Sequence, residues 1–440
     1  MKALFLVFSL SLFAPCAVLA QIPWPVLPDK PCGHSVHGTI GEPRGVVGRG
    51  AHLHDGVDIG NPQGHRVYAV APGPVTTGSR NGIFAGANAD LWVRVGNYAY
   101  VHLQGPLSQD VLNAKNRPTQ SIPAGTFLGL TNWRAHVHFK SGPPGASTNP
   151  LAQLSGYSNT QQPYVSPVSS NIGAVYLQDH RNGQPLSTEP DGTFILGSDL
   201  VDLVANAFDQ QSCGSNQVGL YEVGYKVQQN STGNTLASDV GIVFSALPTT
   251  DPTNVYLMGS VGAEPPAQNK FLYIANDTVT EQRPIDVSSY ASGLYTFTFT
   301  GCDTQTNCTS TSVVAVLQPA SIQIQSSGCT KVGTDFSGNN IFQLELSGTA
   351  TGPVGSSLVA SDIAGPGSVG SQTCLTWSGS FPQTGSPLNG CRRGSTDPQM
   401  TQWSVQATYT LPINLTIAGS MFIGANNQTL ATADVSVACQ

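Results

Sequence analysis

The sequence predicts an all-β protein, and three observations carry that prediction. Apolar and polar residues alternate in short runs: in "YEVGYKV" Tyr221, Val223, Tyr225 and Val227 share a face, and in "LYTFTFT" Tyr295, Phe297 and Phe299 oppose a threonine face. This period of two belongs to half-buried antiparallel strands. Glycine and proline interrupt the runs at short spacing, and no heptad repeat or long amphipathic helix appears.

The elements follow in order. Residues 1–20 read as Lys2, an apolar run and small residues at Val18 and Ala20, the layout of a cleavable signal peptide, so the mature chain is expected to begin near Gln21. A first domain, 21–160, carries β-like runs such as "HRVYAVAPGPV" and "DLWVRVGNYAYVHL". It ends in "SGYSNTQQPYVSPVSSN", from Ser155 to Asn171, which has the composition of a linker. Residues 161–320 hold about eight alternating runs, which suggests a β-sandwich, with an immunoglobulin-like layout as one form of it. Residues 321–440 repeat the pattern, as in "WSVQATYT", where Trp403, Val405, Ala407 and Tyr409 line up, and a second sandwich is the economical expectation.

Composition limits the function. Charged residues are 10% of the chain and the net charge is −7. That leaves no basic stripe for nucleic acid and no patch for an anionic membrane. No second apolar run has bilayer-spanning length, so no membrane insertion is expected after signal removal. Nine cysteines become eight once Cys16 leaves with the signal, and none shows paired zinc-cluster spacing. An even number in an exported chain favours disulfides in an oxidising periplasmic or extracellular space. The expected pairs are Cys302–Cys308, Cys374–Cys391 and Cys329–Cys439.

All nine histidines lie at or before His180. In "RAHVHF" the side chains of His136 and His138 point the same way if the segment is a strand, although such a pair on an exposed strand is often merely solvated. In "HLHDGVDIG" an extended chain would put His54 and Asp58 on one face with Gly56 between them. The same stretch could be a polar turn in which Asp58 accepts backbone hydrogens. Joined to His138, these residues form a two-histidine, one-carboxylate set, which is what a catalytic Zn2+ needs with a fourth position open to water. His102 in "YAYVHLQ" and His136 could then flank the metal as proton-transfer groups or donors to an oxyanion.

The order His54-x-Gly-x-Asp58, "VYAVAPGPV", "YVHL", "IPAGTFLGLTN", "HVHF" and "NPLAQL" resembles the lysostaphin and LytM type of zinc metallopeptidase over about residues 45–155. The resemblance implies an antiparallel β-sheet metallopeptidase domain of the duplicated hybrid motif type. It implies zinc ligands His54, Asp58 and His138, with His102 and His136 assisting catalysis. It further implies a secreted endopeptidase that cuts peptide cross-links of bacterial peptidoglycan, the expected partner being a wall peptide. The loop "TNWRAHVHF", with Trp133 and Arg134, is shorter than the family's Gly-rich loop, and "TTGSRNGIFAGANADLW" is idiosyncratic, which puts substrate preference in doubt.

His52 is the rival ligand, set aside because the four-residue step to the aspartate selects His54. His34, His37, His65 and His180 are expected at the surface. Two other functions compete: a zinc-containing surface or wall-binding module without turnover, and a protease of Gly-rich extracellular proteins.

Overall fold

In the computed structural model every described element but one short helix and two 3-10 turns is a β-strand. It describes residues 21–439 apart from 116, 118, 166–174, 189–190, 198, 215, 263–268, 318–320, 352–356, 362–372, 379–400, 412–415 and 426–427. The 1–20 leader and the Cys374–Cys391 pairing lie outside the described residues, as do the side chains of Trp403, Val405, Ala407 and Tyr409.

The first unit comprises β1 (Val36–Gly38), β2 (Pro43–Val46), β3 (His52–Leu53), β4 (Val57–Gly60), β5 (Arg66–Tyr68), β6 (Gly73–Ser79), β7 (Leu91–Val95), β8 (Tyr98–Gln104), α1 (Gln109–Lys115), β9 (Ser121–Ile122), β10 (Phe127–Thr131) and β11 (His136–Ser141). Nine of these strands form one sheet in the order β1-β4-β11-β8-β7-β6-β9, with β10 bridging β8 and β5. Alternation decides what each face carries. Val57, Ile59, Leu91, Val93, Val95, Tyr100, Val137 and Phe139 are all buried in one core. Their strand neighbours Asp58, Trp92, Arg94, Val101, His136 and His138 therefore face the other side.

The second unit stacks two sheets around a separate core. The strand Leu200–Gln210 anchors one sheet, and Gly293–Cys302, Cys308–Leu317, Glu222–Gln229 and Thr235–Val243 make most of the other. Tyr295, Phe297, Phe299, Val223, Val227, Leu203 and Val204 contribute to one cluster, so the aromatic face read from "LYTFTFT" is the sandwich interior. The pairing of Phe194–Ile195 with Cys308–Leu317 is parallel. Beyond Ser321 a four-stranded and a three-stranded antiparallel sheet follow. Disulfides Cys302–Cys308 and Cys329–Cys439 form as expected, and Cys32–Cys213 links the first unit to the second.

The first two units are not beads on a tether. β2 pairs with Val261–Gly262, and Ile40, Val47 and Leu53 enter the second unit's core. Gly41, at φ +87°, is needed there, because a Cβ would stand 2.1 Å from a Phe244 ring carbon. Residues 155–165, read as linker, are docked. Tyr164–Val165 pairs with Phe208 and Ala207, and the buried Asn159 amide donates to Asp209 Oδ1 (2.8 Å) and to Asp303 Oδ2 (3.2 Å). Composition marks flexibility only when the polar side chains find no buried partner, and Asn159 finds two.

That contact carries a pH dependence. Burial, reinforced by the Asp303 charge, pushes the Asp209 carboxyl up to about 8 against hydrogen bonds from Asn159 and Gln211. An unfolded Asp titrates near 4, so between about pH 4 and 8 the unfolded chain releases this proton first. Stability should then fall as pH rises, by up to about 1.4 kcal/mol per pH unit. Asp209→Asn should remove this slope, and thermal unfolding of both proteins across that range checks it.

Candidate metal centre

Register brings two of the three predicted ligands, Asp58 and His138, together. β4 lies antiparallel beside β11 with His138 opposite Asp58, and β8 lies on the other side of β11 with Val101 opposite His138. Directly opposed side chains share a face at contact range. His54 arrives differently from the expectation of a continuous extended segment. The chain leaves strand geometry after Leu53 and re-enters at Val57, and this bend carries the imidazole over the sheet. Gly56 sits in the bend, where a Cβ would meet the Phe139 carbonyl at 2.7 Å and His138 Cε1 at 2.9 Å. Only glycine leaves room for the His138 ring.

His102 reaches the site through a backbone irregularity. Leu91 opposes Leu103 and Trp92 opposes Val101, so His102 is the extra residue of a β-bulge, with φ +66°. A regular strand would turn its side chain away from the face that Val101 shares; the bulge turns it back. Ala135, just before His136, also has positive φ, +55°. Two non-glycine residues in this sparsely populated region flank the same centre.

The ligand atoms converge. His54 Nε2 lies 2.8 Å from His138 Nδ1 and 3.2 Å from Asp58 Oδ1, and His138 Nδ1 lies 2.9 Å from Asp58 Oδ1. His54, Asp58, His102, His136 and His138 are each at most 7% exposed. Every imidazole is aimed by an acceptor behind it. His54 Nδ1–H donates to the Thr39 carbonyl (2.8 Å), His138 Nε2–H to Asp55 Oδ1 (2.9 Å), His102 Nδ1–H to Asp90 Oδ1 (2.9 Å) and His136 Nδ1–H to the Arg134 carbonyl (3.0 Å). These tautomers follow from the hydrogen-bond network. They leave His54 Nε2 and His138 Nδ1 at the Asp58 oxygen and His136 Nε2 3.6 Å from it.

The electrostatics match a cation site. Burial alone would raise the Asp58 carboxyl, but His54, His136, Arg44 and the His138 hydrogen bond outweigh it and hold the group well below the usual carboxylate range. Burial lowers His54 to about 4, only partly offset by Asp58, and lowers His102 to about 4 against its bond to Asp90. His138 is raised: burial opposes its charge, but hydrogen bonds to Asp55 and Asp58 prevail. One ionised carboxylate, one neutral imidazole and one imidazole that would surrender its Nδ1 proton fit a divalent metal, with proton release on binding.

Among the described residues His54, Asp58 and His138 form the one such cluster, their ligand atoms all within 4.8 Å. The sequence reading missed the groups that support them. Asp55, next to His54, could have been suspected from adjacency; Asp90, Glu42 and Arg44 carried no local signal. Arg44 donates to Asp58 Oδ2 through Nη2 and to Glu42 Oε2 (3.1 Å) through Nη1. Glu42 is fully buried, and its Oε1 accepts from the Thr39 and Gly219 amides, each at 2.7 Å. His52 is exposed and lines the groove without joining the cluster, and His65 is exposed as expected. His34, His37 and His180 are partly buried instead: His34 stacks on Trp24, His37 bonds Ser35, and His180 pairs with Asp202.

The centre opens into a groove of about 790 Å³ lined by His54, His102, His138, Trp92, Arg80, Arg94 and Lys140, among others. No described helix is long and apolar enough to cross a membrane.

No protein family and no curated protein matches the sequence. Among solved structures, the C-terminal domain of the Streptococcus agalactiae AgI/II polypeptide BspA aligns at 9% identity and TM-score 0.27, covering 60% of this chain and 99% of that one. The C-terminal domain of the Streptococcus pyogenes antigen I/II-family protein AspA aligns at 10% identity and TM-score 0.28, covering 64% of this chain and 100% of that one. A tetra-tandem repeat of a large adhesion protein aligns at 12% identity and TM-score 0.15, covering 90% and 96%.

Proposed function

We propose that the protein is an exported zinc-dependent endopeptidase acting on the peptide cross-links of bacterial peptidoglycan. The observation that carries this reading is the set of four histidines, each aimed by a separate hydrogen-bond acceptor around one buried carboxylate. Metal-binding histidines need this outer support to fix tautomer and direction. A solvated histidine pair does not.

His54, Asp58 and His138 would hold the metal. Zinc bound by three such ligands supplies a Lewis acid that activates water and polarises a carbonyl. The chain's own groups do the rest. His136, its Nδ1–H fixed on the Arg134 carbonyl, presents Nε2 as a proton acceptor or as a donor to the developing oxyanion. His102, fixed on Asp90, presents Nε2 toward the groove, where Arg80 Nη1 stands 3.4 Å away. Export accords with three disulfides, which persist in oxidising compartments.

The reading is tested by incubating the mature protein with purified peptidoglycan, with and without chelator, and identifying new amino termini by mass spectrometry. Chelator-sensitive release that zinc restores is expected. Absence of release from a protein holding one zinc per chain would sink the wall-peptidase reading.

A second reading, a surface- or wall-binding module, has one observation in its favour. Residues 175–438 build four sheets, yet the described part of that span contributes no residue to the histidine cluster. Stoichiometric binding to peptidoglycan without release of peptides would support it.

A further inference from the structure

The groove is cationic although the protein is acidic. Arg80, Arg94, Arg134 and Lys140 line it around the histidines, whereas the carboxylate on its wall, Asp55, is already bonded by Lys140 and His138. The hydrogen bonds of two of these cations go to neutral groups, while Asp55 acts on the charge of Arg94 and Asp90 on that of Arg80. Arg94 Nη1 donates to the Gly142 carbonyl (2.8 Å), and the 3.4 Å contact of Arg80 is to an imidazole. Arg134 differs, with Nε 3.9 Å from Asp90 and its guanidinium over the Trp133 ring.

Register fixes where Arg94 stands. Trp92, Val101, His138 and Asp58 form one row across β7, β8, β11 and β4. Arg94, Ala99 and Lys140 form the next row on the same face. Two strand residues separate the rows, or about 7 Å. Ala99 between the two cations is too short to cover them. A guanidinium, with its forked donors, suits a carboxylate.

We propose that the groove selects anionic peptides and that Arg94 binds a substrate carboxylate one to two residues from the bond to be cut. This rests on the peptidase reading and adds the chemical class of its substrate. Arg94 is a specificity residue, since its row lies beside the metal row and not in it. The carboxylate can be an acidic side chain or a chain terminus, and both are present in soluble disaccharide-peptides released from peptidoglycan.

The test uses zinc-loaded mature protein and two probes: such disaccharide-peptides with free carboxylates, and the same material amidated with carbodiimide and ammonia. Calorimetric affinity is measured first, independently of turnover, and peptide release from free and amidated sacculi second. Affinity for the free form should exceed that for the amidated form by at least about tenfold, the weight of a charge-assisted hydrogen bond. Arg94→Met should abolish the difference and Arg94→Lys should keep part of it, with melting temperatures checked in parallel. Synthetic peptides amidated only at the terminus or only at the acidic side chain separate the two sources of carboxylate. Equal affinity for both probes, or discrimination that survives Arg94→Met, overturns the proposal. Failure to cut any sacculus while the discrimination holds overturns the peptidase reading alone.

Discussion

His138→Ala should bind no zinc at micromolar metal, while His136→Ala should retain about one equivalent per chain. The contrast follows from where two residues of one strand point their lone pairs. His138 offers Nδ1 directly to the space shared with His54 Nε2 and Asp58 Oδ1, so its removal takes one of three ligands. His136 Nε2 lies farther off, 3.6 Å from the same carboxylate oxygen. His136→Ala should therefore cost turnover, by about 10²–10⁴-fold, the range of a positioned proton-transfer group. Metal content by elemental analysis, together with peptide release from peptidoglycan, separates the two. Equal metal loss in both variants would sink this division of roles.

Glu42→Gln should weaken both the fold and the metal site. Burial raises the Glu42 carboxyl above its usual range, opposed by Arg44 and by the Gly219 and Thr39 amides. The carboxylate accepts four hydrogen bonds, one of them from the Thr39 hydroxyl, and a glutamine must turn its NH₂ toward donors on at least one side. The natural choice sets NH₂ against Arg44, whose guanidinium, 12% exposed, then keeps Asp58 but loses the second of its two carboxylate partners. Leaving one arm of a buried guanidinium without its acceptor costs about 1–3 kcal/mol. Because Arg44 also holds Asp58 Oδ2, zinc affinity should fall by about 10–100-fold, as for other groups behind metal ligands. Chemical denaturation of apo-protein gives the first number and competition with a chromophoric chelator the second. A loss of stability with zinc affinity unchanged would confine Glu42 to a structural role. The chain Gly219–Glu42–Arg44–Asp58 makes the second unit part of the support of the first unit's His–Asp–His cluster, which sequence boundaries at 160 and 161 do not suggest.

The site was legible in proportion to how local its signals are. His-x-His on a strand and His-x-Gly-x-Asp are short patterns, and the residues that carry them, His54, Asp58, His136 and His138, meet in one place. Period-two alternation likewise marked which face each strand buries, because Val137 and Phe139 alternate with the two histidines by backbone geometry alone. The pairs Cys302–Cys308 and Cys329–Cys439 were legible because each joins the ends of a segment that must close on itself.

What tertiary structure decided is everything that depends on distant segments meeting. The bulge that turns His102 toward the histidine cluster exists only in the pairing of β7 with β8. Asp90 and the Thr39 carbonyl became aiming groups because loops brought acceptors behind the rings of His102 and His54. Cys213 was left unassigned by sequence and joins Cys32 across 181 residues. Residues 155–165, polar enough to read as linker, are held because Asn159 found Asp209 and Asp303 across the interface. By itself the sequence determined the all-β class, the face each strand presents and the residue types of the His54, Asp58 and His138 cluster, since these follow from residue type at spacings of two and four. Register, bulge and interface decided which nitrogen of each histidine faces inward and which carboxylates stand behind, because a hydrogen bond between remote segments has no counterpart in local spacing.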